Sequence, residues 1–459
     1  MQANLQVKVA VVGGGITGLC SGTLLREALG SDSVVVLEAS ETAGGYASTE
    51  STDGFLFDCG PNGFLDKEPL MLEWLSALGL GDDLIQANEA AAKRFLFLGD
   101  RLVEVAGPPK FLFSPALSLR GKARLFAEPF VKSKRDDSPE SIWDFAARRI
   151  GKEAADTLVS AMVLGVFGGD AHHLSLEHCF PKMAEMEREH GTLFRAMMAR
   201  RKQKSGGGPS GPGGVLTSFR DGVGAMASGA KAALGDALLC GTRVTALRKE
   251  GAAYALECAD GRHVLAEWVI VATPAYHAST LLSPLDEDIG KVLQGINYAD
   301  IAVVSTAYRR DDVGCDMNGF GFLVPPNQKR DVMGCIWTSS IFPHTAPEGS
   351  VLLRTMVGGA LDPRALDQCD AELIARIKRE VHPVMGIDRS PEGTRIFRHR
   401  RGIPQYGLDH RAVLERLDAG EMRNPGLLLA GSAYRGVSMN DCVVSAHRAV
   451  NRVMESVDR

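Results

Sequence analysis

The chain has no C-x-x-C pair and no Cys/His spacing suited to a metal, although it carries nine cysteines. That pattern argues against a disulfide framework and predicts reduced, mostly buried thiols in a cytoplasmic protein. No uncharged stretch reads as a bilayer span, because those at 157–169 and 268–285 are short or interrupted by Pro and His. The eight residues before the first apolar run at Val9 are too few for a signal or transit peptide. An excess of basic charge is also missing. A net charge of −5 does not suggest nucleic-acid binding. No Ser/His/Asp set and no evident general base appear in the chain. What is left is a globular composition, with 45% hydrophobic and 23% charged residues. A length of 459 residues predicts two or three domains and a large core.

Glycine is plentiful, at 51 residues, and several glycines stand in motifs. Val9, Ala10, Val11 and Val12 predict a strand buried on both faces. Gly13, Gly15 and Gly18 follow at G-x-G-x-x-G spacing, with Gly14, Ile16 and Thr17 between them. A helix is predicted over 17–29 and a second strand over 34–37, closed by Glu38. Such an order cradles a pyrophosphate at a helix N-terminus and sets a carboxylate within reach of a ribose hydroxyl. An acid at 38 disfavours a 2′-phosphate. The motif alone leaves NAD and FAD open. Gly44-Gly45, six residues past Glu38, adds a second glycine loop of the kind carried by flavoproteins that resemble amine oxidases, and this points to FAD.

Further along, 55–57 reads as a strand, 60–63 as a tight turn, and 68–80 as an amphipathic helix. Residues 95–98 form an aromatic strand after Lys93-Arg94. Residues 91–150 hold twelve Lys/Arg against seven Asp/Glu, beside large apolar side chains. Two readings fit that stretch: a surface for an anionic membrane, or a helical subdomain with a solvated basic face. A helix is expected over 138–150, and a long charged helix over 182–204. His172, His173 and His178 meet no convergent ligand set, so no metal site is expected. SGGGPSGPGG at 205–214 is the clearest loop. A helix then opens at 219 and runs to 234, followed by a strand over 238–247 and strands over 254–258 and 263–271. Strands over 301–308, 319–324, 332–337 and 351–357 predict one antiparallel sheet, with a helix over 372–382 packed on it. A strand at 427–431 and a final helix from 436 to 454 close the chain. The helix N-terminus there would favour negative charge on a flavin ring.

Several blocks go beyond a generic nucleotide fold. They are Glu140-Ser141-Ile142-Trp143-Asp144-Phe145, residues 165–176, Met186-Glu187-Arg188-Glu189-His190, Gly321-Phe322-Leu323-Val324-Pro325, Gly402-Ile403-Pro404-Gln405-Tyr406, and residues 431–442. With them nearly the whole chain resembles the oxygen-dependent protoporphyrinogen oxidase family of the flavin amine oxidase superfamily. The resemblance implies an α/β and α+β architecture. A discontinuous Rossmann-like FAD-binding domain would comprise residues 1–89, 205–290 and 395–459. An α+β substrate domain would span 291–394. A helical, membrane-associating insertion would span 90–204, on the inner face of the cell membrane. Homodimers are common among such enzymes.

The resemblance also assigns roles. FAD contacts fall on Gly13, Gly14, Gly15, Ile16, Thr17, Gly18, Glu38, Ala39, Gly45, Tyr46, Gly60, Pro61, Asn62, Gly63, Val244, Ile403, Val437, Ser438 and Met439. Val244 would hold the adenine through its backbone, and Tyr46 stands where some relatives carry Trp or Arg. Arg94 would meet a substrate propionate, Leu323 and Ile336 would sandwich the tetrapyrrole, and Met356 occupies a position often aromatic in relatives. Asn62 would lie near the reacting edge. The implied reaction is protoporphyrinogen IX to protoporphyrin IX, with O2 reduced to H2O2, in haem biosynthesis. Oxidation of coproporphyrinogen III to coproporphyrin III is the alternative within the family. An amine oxidase would need an aromatic cage, for which Tyr406 and Tyr434 are the nearby C-terminal tyrosines. A non-catalytic protein with structural FAD is a further alternative.

Overall fold

A computed structural model describes residues 4–107, 110–134, 136–203 and 214–457. The loop expected at 205–214 lies outside the described residues except for Gly214. Strand Asn4–Val12 is the axis of the first of two large sheets. It pairs in parallel with Val34–Leu37 on one side and His263–Val271 on the other, and Leu427–Leu429 adds to the latter. Strands Ala253–Cys258 and Val244–Glu250 extend the sheet antiparallel. Residues from three distant parts of the chain therefore share one sheet.

The valine run explains the burial. Val9 and Val11 face a core with Leu19, Leu25, Val443 and Val450. Ala10 and Val12 face a second core with Leu256, Ala278 and Leu293. Alternate residues of one strand thus enter opposite cores, which needs an apolar run and not an alternating one. Gly13 turns the chain at φ 109°. A Cβ on Gly18 would stand 1.8 Å from the Gly13 carbonyl oxygen, so only glycine lets helix Ile16–Leu29 lie this close.

The second sheet runs in the order Gly393–Pro404, Tyr298–Arg309, Ser350–Gly358, Gly334–Trp337, Gly321–Leu323, Phe95–Leu98, Arg101–Glu104. All its pairings are antiparallel except Gly321–Leu323 with Phe95–Leu98. One face is packed: Phe97, Val304, Phe322, Trp337 and Leu353 meet Leu373 and Ile377 of helix Asp370–Glu380. Two expectations shift here. Residues 95–98 and 101–104 belong to this sheet rather than to a helical insertion, because their alternate side chains complete its core. Strand Gly393–Pro404 continues across the boundary expected at 394/395.

The remainder of residues 90–204 is mainly helical. The long helix expected over 182–204 is two helices, Pro181–His190 and Leu193–Gln203, because Gly191 takes a left-handed conformation at φ 73°. The helix opening at 219 starts instead at Ala225, since Leu216–Phe219 pairs as a strand with Phe64–Leu65 and Leu84–Gln86. The strand expected over 238–247 is interrupted between Leu239 and Val244.

Candidate functional site

The candidate site lies where the glycine turns at the end of the first sheet meet the second sheet at strand Gly393–Pro404, whose His399 packs edge-on to Tyr46 at 4.9 Å. At the nucleotide end, helix Ile16–Leu29 begins at Gly15 with no side-chain cap. Nothing lies within 4 Å of a Cβ built on Gly15, so the first N–H groups open onto free space. Glu38 closes its strand, and its carboxylate accepts from the Gly14 N–H at 2.6 Å and the Ser40 N–H at 2.8 Å. The second glycine loop docks on the first. Gly44 N–H donates to the Gly14 carbonyl at 2.8 Å, and a Cβ on Gly45 would be 3.4 Å from Gly15 Cα. Thr17 donates to the Cys442 carbonyl, tying the first helix to the last. Ala39 is exposed beside this cradle. Thr242 N–H donates to the Glu38 carbonyl at 2.7 Å, so Val244, two residues on, stands beside the strand end.

The Gly60–Gly63 turn follows strand Phe55–Asp58, whose Phe57 packs on the second sheet at Ala307, Leu352 and Phe397. Gly60 is pressed against Tyr46, whose carbonyl oxygen would be 2.2 Å from a Gly60 Cβ. Pro61 and Gly63 are half-buried in this turn. The Asn62 Nδ2 is buried and meets no acceptor among the described residues. Such a donor suits a polar atom of a bound group.

The last helix, Met439–Val457, starts at a tight cap. Ser438 donates to Asp441, and Asp441 N–H donates back to the Ser438 hydroxyl. Val437 and Ser438 precede this start, and Met439 is buried in the first core. Gly436 N–H donates to the Tyr406 hydroxyl at 2.9 Å.

The other face of the second sheet, covered in part by Leu164 and Phe57, supplies the other wall. In antiparallel register, side chains directly opposite share a face. Leu323, Gly334, Met356, Val303 and Phe397 form one row across the strands. Gly321, Ile336, Arg354 and Ser305 form the next row. Leu96 pairs with Leu323, and Arg94, two residues before Leu96, stands at the strand entry. The Arg94 guanidinium lies 5.3 Å over the Phe320 ring. Helix Ser160–Phe167 crosses the apolar row: a Cβ on Gly165 would meet Leu323 at 2.5 Å. Met356 and Ile403 pack on a cluster formed by Leu164, Ile301 and Val303. Ile336 packs near Phe320 and Phe342 instead.

The expected substrate residues Arg94, Leu323, Ile336 and Met356 thus come onto one sheet face from three separate parts of the chain. Tyr406 and Tyr434 do not form a cage. Both are buried, and Tyr406 stacks on His410 at 4.2 Å while bonding Ser432 and Gly436. A different tyrosine group was not anticipated. Tyr276 meets Tyr298 at 5.1 Å with Arg401 5.0 Å above its ring, and Tyr46 donates to the Arg401 carbonyl. Burial first, then neighbouring tyrosines, pushes the Tyr46 phenol well above its ordinary range. His399, edge-on to Tyr46 at 4.9 Å, bonds the Cys59 carbonyl through Nε2 at 2.6 Å, and burial lowers its pKa. Arg354 was also missed. Its one sequence signal is a lone cation inside the apolar run 351–357. His172 stacks on Trp143 at 4.3 Å, and no group of three or more potential metal ligands exists among the described residues.

Comparison with known proteins agrees with this geometry. A family model described as flavin containing amine oxidoreductase matches residues 16–454. A coproporphyrinogen III oxidase of Bacillus subtilis is 28% identical, covering 96% of this chain and 97% of the relative. A chloroplastic protoporphyrinogen oxidase of Oryza sativa is 29% identical, covering 99% and 89%. A solved structure from Exiguobacterium sp. 255-15, assigned as a protoporphyrinogen oxidase, superposes with TM-score 0.85 at 22% identity over 98% of this chain and 99% of the other. The uncapped glycine-lined helix start, the Glu38 carboxylate and the unpartnered Asn62 amide fit a flavin dinucleotide. The chain belongs to the flavin containing amine oxidoreductases.

Proposed function

We propose that the protein oxidises a porphyrinogen to the porphyrin with bound FAD and O2. The observation that carries this reading is the shared sheet face: a row of apolar side chains beside the Gly60 turn, with Arg94 at its edge. A flat apolar macrocycle with carboxylate arms matches an apolar slot bounded by a cation. The relatives' names point to the same substrates, protoporphyrinogen and coproporphyrinogen.

In this reading residues 13–18 and Gly45 hold the pyrophosphate. Glu38 and Ala39 flank the ribose, and Val244 meets the adenine. Residues 60–63, Tyr46, Ile403, Val437, Ser438 and Met439 surround the ring. FAD held there would supply a hydride acceptor for the substrate's bridging carbon, in successive two-electron steps, and a route for the electrons to O2, giving H2O2. The chain's part is placement. Leu323, Ile336 and Met356 hold the macrocycle flat and keep water out, while Arg94 orients it through a propionate. No side chain is assigned as a base, so the pyrrole proton leaves to water.

Anaerobic addition of coproporphyrinogen III or protoporphyrinogen IX to the FAD-loaded protein tests this. Flavin bleaching, then porphyrin fluorescence and H2O2 on admitting air, is the expected result. A flavin left oxidised by both substrates would sink the proposal, and the ratio of the two rates ranks the substrates. Release of H2O2 from simple amines alone would favour an amine oxidase.

The helical part carries a surface reading. Phe113, Leu119 and Phe130 are 87%, 83% and 88% exposed, beside exposed Lys110 and Arg120. Phe194 and Met197 are exposed on the neighbouring helix, whose first N–H groups bond Glu128. This patch suits an anionic membrane surface. The basic surplus of residues 91–150 overstates the cation available there. Lys122 is buried on the Leu112 carbonyl, and Arg124 holds the carbonyls of Arg148 and Arg149. No helix of the described residues is long and apolar enough to cross a membrane. Co-sedimentation with phosphatidylglycerol vesicles is expected at low salt, and its absence there removes the reading.

A further inference from the structure

We propose that Arg354 is a fixed buried cation serving the flavin ring, placed behind the Gly60 turn so that it raises the flavin's reduction potential. The inference rests on the flavin site proposed above.

Strand Ser350–Gly358 is apolar from Val351 to Leu353 and again at Met356 and Val357. Arg354 interrupts it and is only 6% exposed. A guanidinium has five N–H donors and no acceptor, so burying it demands oxygen partners. Among the described residues no carboxylate pairs with it, and its Nε is buried without an acceptor. The opposite charge acting on it through space is Asp58. That carboxylate is already engaged by the Thr49 hydroxyl at 2.6 Å and the Val223 N–H at 3.1 Å. The fold therefore maintains a costly cation with no structural partner of its own.

Its position says what the cation is for. Arg354 stands directly opposite Ile336 on one side and Ser305 on the other, with the parity of Met356, so it faces the site. Asp58 and Cys59, the groups it acts on, run straight into the Gly60–Gly63 turn. His399, held on the Cys59 carbonyl, feels its charge too. Arg94 sits three strand spacings away, about 14 Å, so the two cations serve different places.

Reducing the isoalloxazine by two electrons and one proton leaves it one negative charge. A fixed cation in a low-dielectric site favours that charge. The dipole of the last helix is the other candidate source. Its N-terminus is already met by Asp441, whose carboxylate accepts from Ser438 N–H and Oγ–H. That acid offsets the helix's positive end, whereas Arg354 on the second sheet is offset only through space, by Asp58.

The test is the midpoint potential of FAD-loaded wild type, Arg354→Met, Arg354→Lys and Asp58→Asn, measured by anaerobic dye equilibration. FAD content and the visible spectrum are recorded first. Failure of the wild-type chain to hold FAD would overturn both the flavin site and this inference. With FAD bound, Arg354→Met is expected to shift the potential negative, lowering the equilibrium constant for reduction by about tenfold or more. Arg354→Lys stays near wild type, and Asp58→Asn shifts positive. If Arg354→Met does not load FAD, the sign of the Asp58→Asn shift decides, and no positive shift overturns the inference. An unchanged potential in Arg354→Met would overturn it while leaving the flavin site standing. Should that variant instead show a raised KM for coproporphyrinogen III at an unchanged potential, Arg354 belongs to a substrate carboxylate.

Discussion

The two large sheets have seven strands each and use them differently. In the first, both faces are core. Successive residues of Asn4–Val12 enter opposite hydrophobic clusters, and the ligand end is confined to the strand tips and glycine turns. In the second, one face is a single large core, and the other is covered only in patches, by Leu164 over Ile301 and Val303 and by Phe57 over Ala307 and Leu352. Leu353 and Trp337 point into the large core, while Arg354, Met356 and Ile336 point out toward the site. One sheet offers the candidate site its strand tips, and the other offers part of a face. The difference explains where polar residues are tolerated. A fully covered sheet has no room for them, whereas the patchily covered face holds Ser305, His399 on the Cys59 carbonyl, and Arg354 with its Nε lacking an acceptor.

The contrast can be broken most severely in the first sheet. Gly18→Val would drive a side chain into the Gly13 carbonyl, costing about 3 kcal/mol or more. The expected result is a protein that fails to retain FAD on gel filtration. In the second sheet the core face should be the sensitive one. Leu353→Ala is expected to cost about 2–5 kcal/mol in urea unfolding, and Met356→Ala, on the other face of the same strand, less than half as much. Equal losses would show that Met356 is packed as tightly as Leu353.

Acid probes the first half through His410, which is buried with its Nε2 on the Tyr434 carbonyl. Burial lowers its pKa to about 4. The folded state keeps the imidazole neutral, so unfolding takes up a proton between about pH 4 and the ordinary value near 6.5. Stability is then fully present above about pH 6.5 and falls by about 3 kcal/mol as pH drops toward 4. His410→Asn should flatten that slope in a pH series of unfolding curves.

Arg94→Ala should leave unfolding and FAD content unchanged while weakening substrate binding by about 1.5–3 kcal/mol, read as KM. Wild-type kinetics would remove the propionate role. The smallest effect is expected from Met356→Phe. An aromatic ring at this half-buried position would tighten tetrapyrrole binding by about 0.5–1.5 kcal/mol, measured with a porphyrin product as inhibitor.

Much of the first sheet could be read from residue order. A valine run, spaced glycines and a terminal acid are local signals, because each acts on its immediate neighbours along the chain. The strands of the second sheet were also legible, as short apolar runs rich in Val, Leu and Ile. Its membership was not. Residues 95–98 read as part of an insertion, yet they pair with Gly321–Leu323, more than two hundred residues away. The break in the helix expected over 182–204 had a visible cause in Gly191, but a charged stretch without strong periodicity hid it.

The sequence by itself carried the nucleotide-binding pattern of Gly13–Gly18 and Glu38, and the motif blocks pointed to the family. A turn and a helix cap need only neighbouring residues to form. Tertiary structure decided which side chains share the site-facing side of the second sheet. It set Arg354 between Ile336 and Ser305, buried Tyr406 and Tyr434 as structural groups, and gathered Tyr46, Tyr276 and Tyr298 instead. Strand register across a sheet is a non-local quantity. It is fixed by how the two faces pack, and that packing exists only once the distant segments have met.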